Sequence, residues 1–111
     1  MSDYMTDKII ALTTCGSAAE ARKIAHNLVD RRLAACVNIV PGIESIYRWK
    51  GKVETAAEFL LIIKTTKDAS PGLRAAVSEL HSYEIPEYLE IPIADGSQAY
   101  LHWIEQWVKI N

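Results

Sequence analysis

At 111 residues, half of them hydrophobic, the chain is sized for one domain over 1–111 with a single core, and disorder is excluded. Twelve Lys and Arg against fourteen Asp and Glu leave a formal net charge of -2, with no basic footprint, which excludes nucleic acid as the expected partner. Residues Met1 to Asp7 carry no basic or signal-like apolar stretch, and no apolar run reaches a membrane span, so a cytoplasmic protein without a membrane partner is expected, its first seven residues flexible.

Lys8 to Cys15 reads as a buried first strand stopped by Gly16. Ser17 and Glu20 have the spacing of a capping box, and Ala21, Ile24, Ala25, Leu28 and Val29 make one apolar face of a helix running to about Arg32. A second strand begins at Ala35 and a third covers Ala56 to Thr66. Between them Ile43, Tyr47 and Trp49 share one side of an extended segment, because side chains alternate with period two, and Lys50-Gly51-Lys52 supplies the turn. The outcome is an overlong β-hairpin. An arm projecting beyond a small domain leaves aromatic surface in water, so another subunit is expected to cover it. Ser70-Pro71 reads as a helix cap with proline at the first helical position, followed by Leu73, Ala76, Val77 and Leu80 on one face. Tyr88 to Ile93 alternates as a short strand, and Pro92, which cannot donate to a ladder, puts it at an edge or a terminal position. From Ser97 a third helix carries two apolar stripes, Tyr100, Trp103, Trp107 and Leu101, Ile104, Val108. One stripe packs on its own domain and the other asks for a neighbour.

The order is βαββαβ plus a C-terminal helix, an α+β chain with the ferredoxin-like pattern, in which the first and third strands are central and antiparallel. That topology brings Cys15, Glu58 and His81 to one edge of the sheet beside the Tyr83 to Glu87 loop, and Lys64, Thr65 and Cys36 to the opposite edge. The two cysteines are then about 20 Å apart, too far for a disulfide, and in a reducing compartment both stay thiols. A thiolate and an imidazole form a soft ligand pair suited to copper or zinc. The same residues have a plain alternative: Cys15 as a small buried hydrophobe, His81 as a capping histidine, Glu58 as a solvated residue near a strand start. No cysteine-hydrolase signature surrounds Cys15, and Gly16 alone is far short of a phosphate-binding fingerprint, so no enzymatic activity is expected. His26 and His102 read as surface residues.

The segments Arg32-Leu33-Ala34-Ala35-Cys36-Val37-Asn38, Pro41-Gly42, Ser45-Ile46-Tyr47-Arg48-Trp49-Lys50-Gly51-Lys52, Lys64-Thr65 and His81-Ser82-Tyr83-Glu84-Ile85-Pro86-Glu87, in that order over about residues 8 to 108, resemble the CutA divalent-cation tolerance proteins. The resemblance implies a tight homotrimer similar in architecture to the PII signalling proteins, its hairpins crossing between subunits and Tyr47, Trp49 and Trp103 at the interface. It also implies a role in the response to metal ions, with copper or another divalent cation bound at Cys15 and His81, to which the strand topology adds Glu58 as a candidate third ligand. Some members carry a second histidine beside the one matching His81, where this chain has Leu80 and Ser82. Two other readings stay open. One is a PII-like sensor that binds a small anionic metabolite in an intersubunit cleft through Lys64, Tyr83, Glu84 and Glu87; the other is a trimeric scaffold that presents surfaces to a partner.

Overall fold

The computed structural model describes residues 6–108. Their elements are β1 (Lys8–Cys15), α1 (Ala18–Asp30), β2 (Cys36–Trp49), β3 (Lys52–Thr66), α2 (Ser70–Leu80), β4 (Leu89–Pro92) and α3 (Gln98–Trp107). The strands make one antiparallel sheet in the order β2-β3-β1-β4. As the element order predicts, β1 and β3 are central. Pro92 pairs with Ile9 on β4, which has a neighbour on one side only, so its missing N–H leaves no gap inside the ladder.

Local signals explain most boundaries. Ser17 caps α1 by accepting the Glu20 N–H at 3.1 Å. The helix closes at Asp30, short of the expected Arg32, because Arg32 has turned into the left-handed region at φ 59°. Ser70 is not the cap of α2. Thr66 Oγ1 accepts the Ala69 N–H at 3.3 Å and caps a 3-10 turn over Lys67–Ala69, which runs straight into α2 with Ser70 as its first residue. The freed Ser70 hydroxyl donates to Glu90 on β4 and fastens the edge strand to the helix layer.

One face of the sheet carries the core. Ala11 and Cys15 of β1 and Leu61 and Ile63 of β3 pack against Ala21, Ile24 and Leu28 of α1 and Leu73, Ala76 and Val77 of α2. Ile104 of α3 and Val108 just after it are buried with Ala69, whereas Tyr100, Trp103 and Trp107 are exposed, which separates the two stripes as expected. Of residues 1–7, expected to be flexible, 1–5 lie outside the described residues. Thr6 donates its N–H to Ile93 O, and Asp7 O accepts the Lys67 N–H. No helix among the described residues is long and apolar enough to cross a membrane.

The hairpin is longer and more regular than expected, since β3 begins at Lys52 rather than Ala56 and the arm is an unbroken part of the ladder. It contains one irregularity. Val40 pairs with Leu60 and Ile43 with Glu58, so Pro41 and Gly42 together oppose Phe59 alone. Such a bulge inverts the facing of everything beyond it. Val37 and Ile39 pair with Ile63 and Leu61 on the helix-covered face, whereas Ile43, Ser45, Tyr47 and Trp49 share the other face with Glu58. Gly42, at φ 77°, takes the conformation that the extra residue requires.

Candidate functional site

The end of β1, the start of the buried half of β3 and the end of α2 meet at one end of the sheet. Cys15 pairs with Phe59, next to Glu58, and His81 follows α2. All three side chains are buried, Glu58 to 8 % exposure although it is acidic. The three positions lie at one end of the sheet, but Cys15 shares the helix-covered face with Phe59 and Leu61, whereas Glu58 lies on the opposite face with Ile43.

A hydrogen-bond network holds His81 and Glu58. His81 Nε2 donates to Thr14 O at 2.6 Å, and Nδ1 accepts the Tyr83 N–H at 3.1 Å, so both ring nitrogens are engaged. Tyr83 folds back over its neighbour, ring centroids 4.6 Å apart, and donates its hydroxyl to Glu58 Oε2 at 2.7 Å. The crossing depends on Gly16, where a Cβ would meet the Tyr83 hydroxyl oxygen at 3.1 Å. Glu20 joins from α1: its Oε2 accepts the Ser82 N–H at 2.7 Å and lies 3.7 Å from His81 Nδ1. Glu20 thus ties the loop after α2 to the start of α1. Its spacing from Ser17 points to a local cap; its carboxylate instead serves a residue distant in sequence, a pairing that no local pattern could reveal.

The electrostatics follow from this packing. Burial, reinforced by Glu20 and Glu58, pushes the Cys15 thiol up to about 11. Burial would also raise the Glu20 carboxyl, but Ser82 through its side chain and N–H, His81, and the Gly16 N–H outweigh it, and the carboxyl sits below its usual value. Burial and then Glu58, which accepts its hydrogen bond, hold the Tyr83 phenol well above its ordinary range, so it remains a donor. His81 and Glu58 are hydrogen-bonded within the subunit, and the buried Cys15 thiol is held protonated. No group of three or more His, Cys, Asp or Glu among the described residues has an arrangement that could hold a metal ion.

Outside this cluster lies a cleft of about 540 Å³ between the arm and the loop after α2. Tyr47 and Trp49 wall it on one side, Tyr83, Glu84 and Glu87 on the other, and Glu58 forms part of its floor. Three of the four residues named for a ligand cleft are thus together. Lys64 is not with them in the same subunit, because it pairs with Ile10 and Cys36 toward the other end of β3. Trp103 lies on α3, remote in the fold from the arm, beside Val29, Arg32 and Trp107.

Residues 9–107 match the sequence profile of the family described as CutA1 divalent ion tolerance protein. The chain belongs to this family. It is 50% identical over 97 residues to the divalent-cation tolerance protein CutA of Thermus thermophilus, a match covering 87% of this chain and 94% of that relative. Over 96 residues it is 45% identical to protein CutA of Mus musculus, which covers 86% of this chain but only 54% of the mouse protein, so the chain spans about half the length of that relative. The crystal structure of CutA1 from Oryza sativa superimposes with a TM-score of 0.92 at 38% identity, covering 98% of this chain and 100% of that one. Family membership thus rests on nearly the whole fold, including the arm and the loop that frame the cleft.

Proposed function

We propose that the chain is a non-enzymatic, cytoplasmic homotrimer of ferredoxin-like subunits that serves divalent-cation tolerance by binding copper or another divalent ion through Cys15, His81 and Glu58. The observation that carries this reading is that a buried thiol and a buried imidazole, from β1 and the end of α2, lie at one end of the sheet, where Glu58 of β3 is buried on the opposite face. Thiolate and imidazole are the ligands that copper and zinc favour. The trimer is supported by Tyr47 and Trp49 on the arm and Trp103 on α3, large side chains that one subunit leaves exposed.

Ligation here has two requirements that make the reading testable. The Cys15 thiol, held up to about 11, must give up its proton, so binding releases a proton and weakens as the pH falls. The His81 ring must also give up its bond to Thr14 O or to the Tyr83 N–H, which couples metal binding to the loop that carries Tyr83. A small anionic ligand finds less support, because the cleft is lined by Glu58, Glu84 and Glu87 with no Lys or Arg, and would need Lys64 from another subunit.

Copper and zinc titrations under reducing, anaerobic conditions, zinc being the divalent probe, with native mass recorded at each step, test the assignment on the wild type, Cys15→Ser, His81→Ala, Glu58→Gln and His26→Ala. The expected result is loss of affinity in the Cys15 and His81 variants on a trimeric background. Unchanged affinity in both, or a loss confined to His26→Ala, overturns it.

A further inference from the structure

We propose that the loop after α2, from Ser82 to Glu87, is a lid over the end of the sheet that holds Cys15 and His81, and that Glu20 of α1 is its latch. The chain between Leu80 and Leu89 forms neither helix nor strand. A segment without helix or ladder bonds is held by whatever other contacts it makes, and here they are specific. Glu20 Oε2 accepts the Ser82 N–H at 2.7 Å, and His81 Nδ1 accepts the Tyr83 N–H at 3.1 Å. Tyr83 then passes Gly16, just beyond β1, and its hydroxyl closes on Glu58 Oε2 at 2.7 Å. The two amides belong to consecutive residues, so releasing one moves the other, and all three bonds are expected to break as one event.

The closed lid seals this end of the subunit. The side chain of His81 has no exposed area and Cys15 is fully buried, although both lie at the end of the sheet rather than at its centre. The Tyr83 ring packs on the His81 ring, and its hydroxyl lies against Gly16, the residue that follows Cys15. Because Cys15 and Glu58 occupy opposite faces, Tyr83 clasps the end of β1 across both. Glu20 stands on the helix-covered side, away from the face that Ile43, Tyr47 and Trp49 take, so the latch uses no residue of the arm. Its bond is charge-assisted, the stronger kind, and it joins two segments 62 positions apart. Opening frees the His81 Nδ1 lone pair and uncovers the end of β1. The use of that movement to admit a metal ion rests on the metal reading, whereas the lid itself does not.

Amide hydrogen exchange, followed by NMR on the intact, metal-free protein in its native assembly, tests the lid. Glu20→Gln keeps the side-chain length and replaces a charged acceptor by a neutral one, so the Ser82 and Tyr83 amides should both exchange faster, on the order of tenfold. Tyr83→Phe removes the bond of neither amide, yet it should speed both by roughly fivefold, the worth of one ordinary hydrogen bond. The amides of Leu61 and Ile63 should keep their wild-type rates in both variants. Alkylation of Cys15 should also quicken, more for iodoacetanilide than for the smaller iodoacetamide, because a change in thiol acidity alone would speed the two reagents equally. Acceleration confined to Ser82 in Glu20→Gln, an unchanged Ser82 in Tyr83→Phe, a rise at Leu61 and Ile63 equal to that at Ser82, or equal gains for the two reagents would each overturn the lid. These exchange changes in a protein that binds neither copper nor zinc would keep the lid and remove the metal reading; metal binding without them would remove the lid alone.

Discussion

The two halves of the β2/β3 ladder are built from the same backbone and solve opposite problems. In the half nearest the helices, Leu61 and Ile63 are fully buried on one face by the subunit's own helices. Beyond the bulge at Pro41 and Gly42 the ladder continues without helices on either side, and Ile46 is 67% exposed, Val53 64% and Tyr47 44%. A two-stranded ribbon is marginal in water by itself. The contrast teaches that backbone pairing sets the geometry of the arm, while the subunit itself gives it little of the burial that stabilises the rest of the sheet.

Substitutions in the two halves should therefore differ in kind as well as in size. Leu61→Ala removes a fully buried side chain and should cost about 2–5 kcal/mol, read by denaturant melts as a loss independent of protein concentration. Trp49→Ala should cost less, about 2 kcal/mol, and the loss should grow on dilution, because a side chain buried only by association stabilises by mass action. A Trp49→Ala loss that ignores concentration would break the comparison.

Glu20→Gln sharpens it on the covered side. The Glu20 carboxyl is held below its usual value, so its stabilisation is present above about pH 4.5 and is lost as the pH falls through the lower, folded-state value. The amide does not titrate. The drop in stability between about pH 7 and about pH 3 should be smaller in Glu20→Gln than in the wild type, whereas an unchanged acid limb would remove Glu20 from the account. Lys50→Glu, at the exposed tip of the arm, should change stability by no more than about 0.5 kcal/mol.

The sequence made one part of this architecture legible and hid another. Strand β1, the Ser17 cap, the split stripes of α3 and the edge position of Pro92 are all readable because they depend on period, capping chemistry and the missing proline N–H. The start of α2 misled, since Ser70-Pro71 has the form of a cap but Thr66 caps an earlier turn. The site was visible as a neighbourhood. Topology brings Cys15, Glu58 and His81 to one end, yet the bonds that define their chemistry, Tyr83 to Glu58 and Ser82 to Glu20, join residues 25 and 62 positions apart. Nor does the pattern of Ile43, Tyr47 and Trp49 say which face they take, because the bulge that turns them toward Glu58 is a register event.

The central claim is that the arm exists to be covered by copies of the same chain. Sedimentation equilibrium of the intact protein at micromolar concentration tests it most directly. The account predicts a single species at three times the 12.4 kDa subunit mass, and a stable 12.4 kDa monomer would contradict it.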